Sequence, residues 1–253
     1  MRCLVNSYAI YKKELRAYFT SFIAYGIIGV FLFLSGLLFY GDLITFDRIY
    51  SLGGYSITGT LFRQFFLDLS LIMLFTLPLL TMRLFAEEKK LGTMEILMTY
   101  PIKDSEIIMG KFMACLTLFS LMLILTLSYP LLLKNSYPLE WLPIFSGYLF
   151  ILLLGCSSIA TGMFISSLSE NQIIAAMGTY GIFLLFIVIA FTSGASPAWL
   201  EPLLVHLSFI EHLDQFAKGI LDTRGIIYPI NFTVFFFILT FQSLKSKRWR
   251  GLE

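Results

Sequence analysis

Few side chains in this sequence could make or break a bond. There are two histidines, His206 and His212, and three cysteines, Cys3, Cys115 and Cys156. A zinc site needs nitrogen, sulfur or carboxylate ligands at close spacing. No acidic or thiol residue has convincing ligand spacing with either histidine, so two histidines on a wet amphipathic surface is the simpler reading. Three cysteines, an odd number, imply no disulfide framework. Gly110 and Lys111 are followed by Phe112 rather than Ser or Thr, so no phosphate loop is formed. No Ser/His/Asp or Cys/His constellation is apparent, and the chain is not expected to be an enzyme. Asp68 is the one carboxylate expected inside a long apolar run, where an acid can mark an ion pathway. It can equally pair with Arg63 or reach the interface. Charge is concentrated between Arg83 and Phe112, where Glu87, Glu88, Lys89 and Lys90 form a cluster and Glu95 and Asp104 follow.

The elements that must carry these residues follow from composition. The chain has 253 residues, 58% hydrophobic and 17% aromatic, with only 13% charged, and its mean hydropathy is +0.83. Soluble domains are about 25% charged. A disordered chain is excluded, and a net charge of +2 lacks the basic excess of a nucleic-acid binder. A membrane helix needs roughly 20 apolar residues. Six runs qualify, at about residues 22–40, 64–85, 112–133, 143–165, 173–192 and 226–244. They are apolar on every face, whereas a barrel strand alternates, and in lipid the backbone must satisfy its own hydrogen bonds. The fold expected is an all-α integral membrane protein, one domain over 1–253. An amphipathic arm occupies 1–21, a six-span bundle 22–244 and a basic tail 245–253. The first run follows about twenty residues of charged sequence and lacks a small-x-small cleavage site, so it reads as a retained span.

With both termini in the cytoplasm, 13 of the 18 Lys and Arg residues lie on the inner side, as positive-inside topology requires. Leu4, Tyr8, Tyr11, Leu15 and Tyr18 form one stripe of the arm, which is expected to lie in the headgroup layer with its cations toward anionic lipid. The first outer loop, from Gly41 to about Arg63, is expected to be irregular. Between spans two and three, Gly92 can end the extension of span two. Thr93 can cap a short helix with Glu95 in its first turn, and Pro101 helps stop it. Asp104 or Ser105 can cap the next helix. The short helix carries Met94, Ile96, Leu97 and Met98, an apolar surface that either docks another protein or folds back on the bundle. Residues 166–172 read as a tight inner turn. Residues 193–225 form one or two amphipathic helices on the outer face, with His212, Gln215 and Lys218 on the polar side. A bundle with so little chemistry of its own is expected to be driven by something else.

Several segments resemble the permeases of ABC-2-type transporters. FAEEKKLGTMEILMTYPIKDSEIIMGKF, Phe85 to Phe112, is similar to that family's signature, with its acid-base cluster, Gly-Thr, acid-aliphatic run, Pro, acidic cap and Gly-Lys-Phe. KKELRAYFTSFIAYGIIGVFLFLSG resembles its arm and first span, and SSLSENQIIA its turn between spans four and five. IEHLDQFAKGILDTRGIIY and the ending SLKSKRWRG resemble the gliding-motility-associated branch. Phe22 stands where relatives often carry Pro. The resemblance implies a type V ABC exporter fold, in which two six-span permeases, a second copy or a homologue, pair in the bacterial inner membrane. Each docks on a separate ATPase subunit that binds ATP and Mg, so this chain holds no cofactor. It further implies a connecting helix over 4–19, with Lys12, Lys13, Glu14 and Arg16, and outer re-entrant helices over 193–222. The coupling helix falls at 93–99, with Glu87, Glu88, Gly92, Thr93, Met94, Glu95, Ile96, Leu97, Pro101 and Asp104 in and around it. The alternatives are a non-transporting scaffold of an envelope or metalloenzyme-maturation complex and an ion-coupled transporter that depends on Asp68.

Overall fold

The computed structural model describes residues 2–50, 57–94, 102–192, 209–220 and 222–250. Among these residues every regular element is helical. The arm, α1, spans Arg2–Thr20, and α2 spans Phe22–Tyr50. A π-helical turn, Thr58–Phe62, runs into α3, Arg63–Thr81, and α4 follows at Arg83–Lys90. Next come α5, Asp104–Thr126, and α6, Ser128–Leu133. α7 is Trp141–Leu168 and α8 is Gln172–Thr192. The short α9, Phe209–Ala217, precedes α10, Thr223–Arg250.

Six stretches are long and apolar enough to cross a membrane: Phe22–Arg48, Thr58–Lys90, Asp104–Leu133, Trp141–Leu168, Gln172–Ile189 and Thr223–Ser246. All six outrun the hydropathic runs at one end or both, the fifth by a single residue, because a helix does not stop where hydrocarbon does. Gly41 to Tyr50, expected as loop, continues α2. Residues 57–62, also expected to be irregular, are helical.

Prolines lie near both interruptions. Pro78 has no N–H to offer the preceding turn. Helix α3 ends four residues later at Met82, whose own N–H still reaches the Pro78 carbonyl at 2.9 Å. Pro130 similarly follows the step at Leu127 between α5 and α6.

Helices α3, α5 and α7 make the centre. In their spans 56%, 61% and 56% of the apolar window is buried, against 28% for α2, 17% for α8 and 28% for α10. In lipid, helices associate through close packing at small residues. On α7, a Cβ at Gly147, Gly155 or Gly162 would lie 2.0, 2.1 and 2.0 Å from side chains of Phe66, Phe119 and Thr81. Phe39, Phe65 and Tyr129 fill the far half of the interior, with Phe39 stacked on Tyr129 at 4.9 Å.

The arm packs on its own bundle rather than presenting the expected tyrosine stripe to lipid. Ile10 and Tyr18 are buried and Glu14 half-buried, while Tyr8 is 63% exposed. These inward residues repeat every four positions and lie along α5. Gly110 makes the approach possible, since a Cβ there would come within 2.9 Å of the Ile10 Cβ and the Ser7 carbonyl.

Candidate functional site

At the arm end of the bundle, the base of α4 is held by three neighbours through polar contacts. Lys111, eight residues into α5, is 1% exposed. Its ammonium meets Glu14 Oε1 of the arm at 2.9 Å and Glu88 Oε2 of α4 at 3.1 Å. Lys13 meets the other oxygen of Glu88 at 3.3 Å, and Lys111 lies over the Phe85 ring, 5.3 Å from its centre. A buried charge needs such pairing to persist in an apolar surround. Higher on the arm, the Tyr18 hydroxyl donates to the Leu80 carbonyl at 3.1 Å. Burial, then the nearby Cys115 and Glu14, push that phenol well above its ordinary value. At the arm's beginning, the Asn6 amide donates to Glu106 at 3.0 Å. Arg83 donates to Glu87 at 2.9 Å and to Ser21 at 3.1 Å.

The third neighbour is α7. The turn at Met82 leaves the first amides of α4 without partners in their own helix. Ser166, fully buried, supplies one: its Oγ accepts from the amides of Phe85 and Ala86, both at 3.0 Å, and donates to the Met82 carbonyl at 2.9 Å. Lys89 donates to the neighbouring Ser167 carbonyl, and Ser167 bonds Ser243 of α10 at 3.0 Å. The expected turn over 166–172 is present, and it also carries the cap of α4.

The residues singled out from the sequence fall as follows. Lys12, Lys13 and Arg16 line the exposed side of the arm, and Glu14 faces inward to Lys111. Glu87 is engaged by Arg83, and Glu88 is turned inward between Lys111 and Lys13. Gly92 has φ +68°, the left-handed state that glycine adopts after a helix end. The Thr93 hydroxyl donates back to the Glu88 carbonyl at 3.3 Å; the amides it was expected to cap are those of Glu95 and Ile96. Met94 is 6% exposed and belongs to the core, so it adds nothing to an exposed apolar surface. Glu95, Ile96, Leu97, Met98 and Pro101 lie outside the described residues. Asp104 opens α5, but the cap position is Lys103, whose amide donates to Glu106 at 3.3 Å. Asp104 and Ser105 are already helical, so neither is the cap.

Sequence reasoning missed Lys111 and Ser166. Lys111 reads as a cation snorkelling at a span's end, and a serine in a polar turn carries no signal. The Gly-Lys pair was the available clue: Gly110 admits the arm and Lys111 then binds it.

The far end has its own polar contacts. Arg63 pairs with Asp214 of α9, not with Asp68. Lys218 meets the other Asp214 oxygen at 2.6 Å. Partial burial works against the Asp214 charge, but the bonds and charges of Lys218 and Arg63 outweigh it and hold the carboxyl below its usual value. Asp68 accepts from Gln64 at 3.3 Å and lies beside the Asp42 carboxyl, which the longer α2 brings into the span. His212 is buried, 5.7 Å from the Tyr228 ring, rather than on a wet face. Leu213, Phe216 and Ala217 are buried with it, and Ser146 donates to the Phe216 carbonyl at 2.6 Å. His206 lies outside the described residues.

Residues 8–240 match the model of one protein family, described as ABC-2 family transporter protein. No curated protein matches the chain.

Proposed function

From membership in the ABC-2 transporter family, to which this chain belongs, we propose that it couples a separate ATPase subunit to export across a bacterial inner membrane. It is a multi-pass membrane protein and the permease component of an ABC transporter. Its termini and α4 face the cytoplasm. The arm and the segment after Gly92 meet the ATPase, and a second copy or a homologous permease completes the transporter.

The observation that supports this reading best is the fixing of α4. A helix that delivers a push must be joined to what it moves, and bistable packed elements carry such motion as units. Helix α4 meets α1 and α5 through Glu88, Glu14 and Lys111, and α7 through Ser166. Residues just beyond it carry the load. Ile96 and Leu97 fill a groove on the ATPase, and Glu87 and Glu95 set register against its basic residues. Glu88 braces the stalk. Lys12, Lys13 and Arg16 offer the arm's open side to the same partner or to anionic lipid.

The test is affinity purification of the tagged, full-length chain from its own cells. A phosphate-loop ATPase is expected with the wild type. Glu95→Lys together with Leu97→Asp should lose it while the protein still elutes as a folded species. Recovery of the chain without any ATPase, under conditions that retain other membrane complexes, would refute the proposal.

A further inference from the structure

A laterally open cleft of about 110 Å³ lies between α3, α7, α8 and α10, with Phe209 of α9 above it. Its walls are apolar except for Ser70, Ser157 and Ser158. Ser70 and Ser157 donate to carbonyls of their own helices, Leu67 at 2.6 Å and Leu154 at 2.8 Å, so the surface they show is weakly polar. Phe186, Phe209 and Phe232 close the back in edge-on contacts of 5.6, 5.2 and 5.8 Å. Apolar cavities of roughly 150 Å³ bind molecules the size of benzene.

The mouth supplies the second half of a site. Arg63, Leu67, Leu71 and Leu74 follow one another on a single face of α3, and Leu71 and Leu74 line the cleft. Arg63 stands about 12 Å above Leu71 along the helix, less than half of the roughly 30 Å hydrocarbon thickness. Beside it lies Lys218, and the two cations share one carboxylate, Asp214. The side chains of Arg63 and Lys218 are 47% and 55% exposed. The Arg63–Asp214–Lys218 group, with one net positive charge of its own, thus sits at headgroup level over an apolar slot within one leaflet, with Asp42 and Asp68 at the same end.

We propose that this cleft binds one acyl chain of an anionic phospholipid, whose phosphate lies against Arg63 and Lys218. On the exporter reading above, on which this last step rests, the cargo is of that class, a long-chain acidic amphiphile.

The test uses the full-length protein in nanodiscs containing phosphatidylglycerol or phosphatidylcholine with a diazirine at mid-chain. Photolabelled peptides are read by mass spectrometry. Phosphatidylglycerol should label residues 154–158 and 183–187 more strongly than the open lipid face of α2 at Val30, Phe33 and Leu37. Ser158→Phe fills the slot and should cut cleft labelling to the level of the α2 face, since a chain shut out of it returns to equally apolar lipid, while Ser158→Ala retains it. Arg63→Gln with Lys218→Gln should reduce phosphatidylglycerol labelling to the phosphatidylcholine level. Equal labelling of α2 and the cleft, indifference to Ser158→Phe, or equal labelling by both lipids in the wild type would overturn the site. Cleft labelling in a protein that captures no ATPase would leave the site standing and remove the cargo assignment.

Discussion

Replacing Lys111 by Met removes the ammonium and keeps most of the stem's volume. In the wild type the charge has carboxylate oxygens at 2.9 and 3.1 Å. With an effective dielectric near 20, each contact attracts by about 5–6 kcal/mol before desolvation is counted. Desolvation of the lysine returns several kcal/mol of this, and breaking a buried pair typically destabilises by about 3–5 kcal/mol. Glu14 and Glu88 would then face each other at 14% side-chain exposure, with Lys13 on Glu88 as the remaining ion pair among the described residues. The thermal midpoint of the detergent-purified protein, followed by the fraction that stays soluble, should fall by on the order of 10 °C. Limited trypsin digestion should cut the arm at Lys12, Lys13 and Arg16 faster. The informative variant is the triple one, Lys111→Met with Glu14→Gln and Glu88→Gln. A buried ion pair is worth little against neutral groups of the same shape, so the triple variant should regain most of the lost stability. An unchanged midpoint in Lys111→Met, or a triple variant no better than the single one, would refute the reasoning that these charges hold the arm.

Ser166→Ala removes the buried hydroxyl that accepts from the amides of Phe85 and Ala86, a cap-like loss of about 1–2 kcal/mol; faster amide exchange at 85, with exchange in α8 unaltered, is the expected reading. The Asp214 carboxyl is held low in the folded state, so the stability it adds is complete above the unfolded value near 3.9 and lost only as pH falls through the lower folded value. Exchange over residues 209–217, corrected for its intrinsic pH dependence, should therefore be flat from neutrality to mild acid, and Asp214→Asn should raise it by a factor of a few, since Arg63 and Lys218 are half exposed and such pairs contribute under about 1 kcal/mol. A reporter fused beyond the basic tail should be active only in the cytoplasm; an external signal would reverse the topology.

The six spans were legible because hydrocarbon demands long apolar runs and nothing else in the sequence competes with them. Their ends were not. Asp42 and Asp47 lower the hydropathy after Tyr40, yet α2 continues to Tyr50, because a helix turn whose Phe46 and Asp47 contact Tyr137 is held by packing rather than by lipid. That misjudged end hid the Asp42 neighbour of Asp68. Arg63 beside Asp68 in sequence suggested a local pair, but α9 brings Asp214 from 151 positions away. His212 illustrates the same limit: it stands beside Glu211 and near Asp214 in sequence, and only packing against other helices, with Tyr228 of α10 at its ring, decides that it is buried. The Gly-Thr and Gly-Lys elements were legible as motifs. What Gly110 and Lys111 do was not, since both act on a helix about a hundred residues earlier.

The two ends of the bundle are built on different principles, and the difference bears on how a push would travel. At the arm end, α4 is joined to α1, α5 and α7 by buried groups whose loss is costly: Lys111, Glu88 and Ser166. At the far end, α9 is fixed to α7 by buried contacts of Phe216, but its ion pair to α3, Arg63 with Asp214, is half exposed. Helix α8, which forms a wall of the cleft, has only 17% of its apolar window buried. Force applied to α4 therefore meets little give in α5 and α7, and the weaker attachments are α8 and the joint between α9 and α3 beside the cleft. If the exporter reading holds, strengthening the far end should uncouple the protein as surely as weakening the base. A cysteine pair bridging α3 and α9, oxidised after membrane insertion, should leave ATPase capture intact and stop transport, while reduction restores it. Transport that continues with the bridge closed would place the moving part elsewhere.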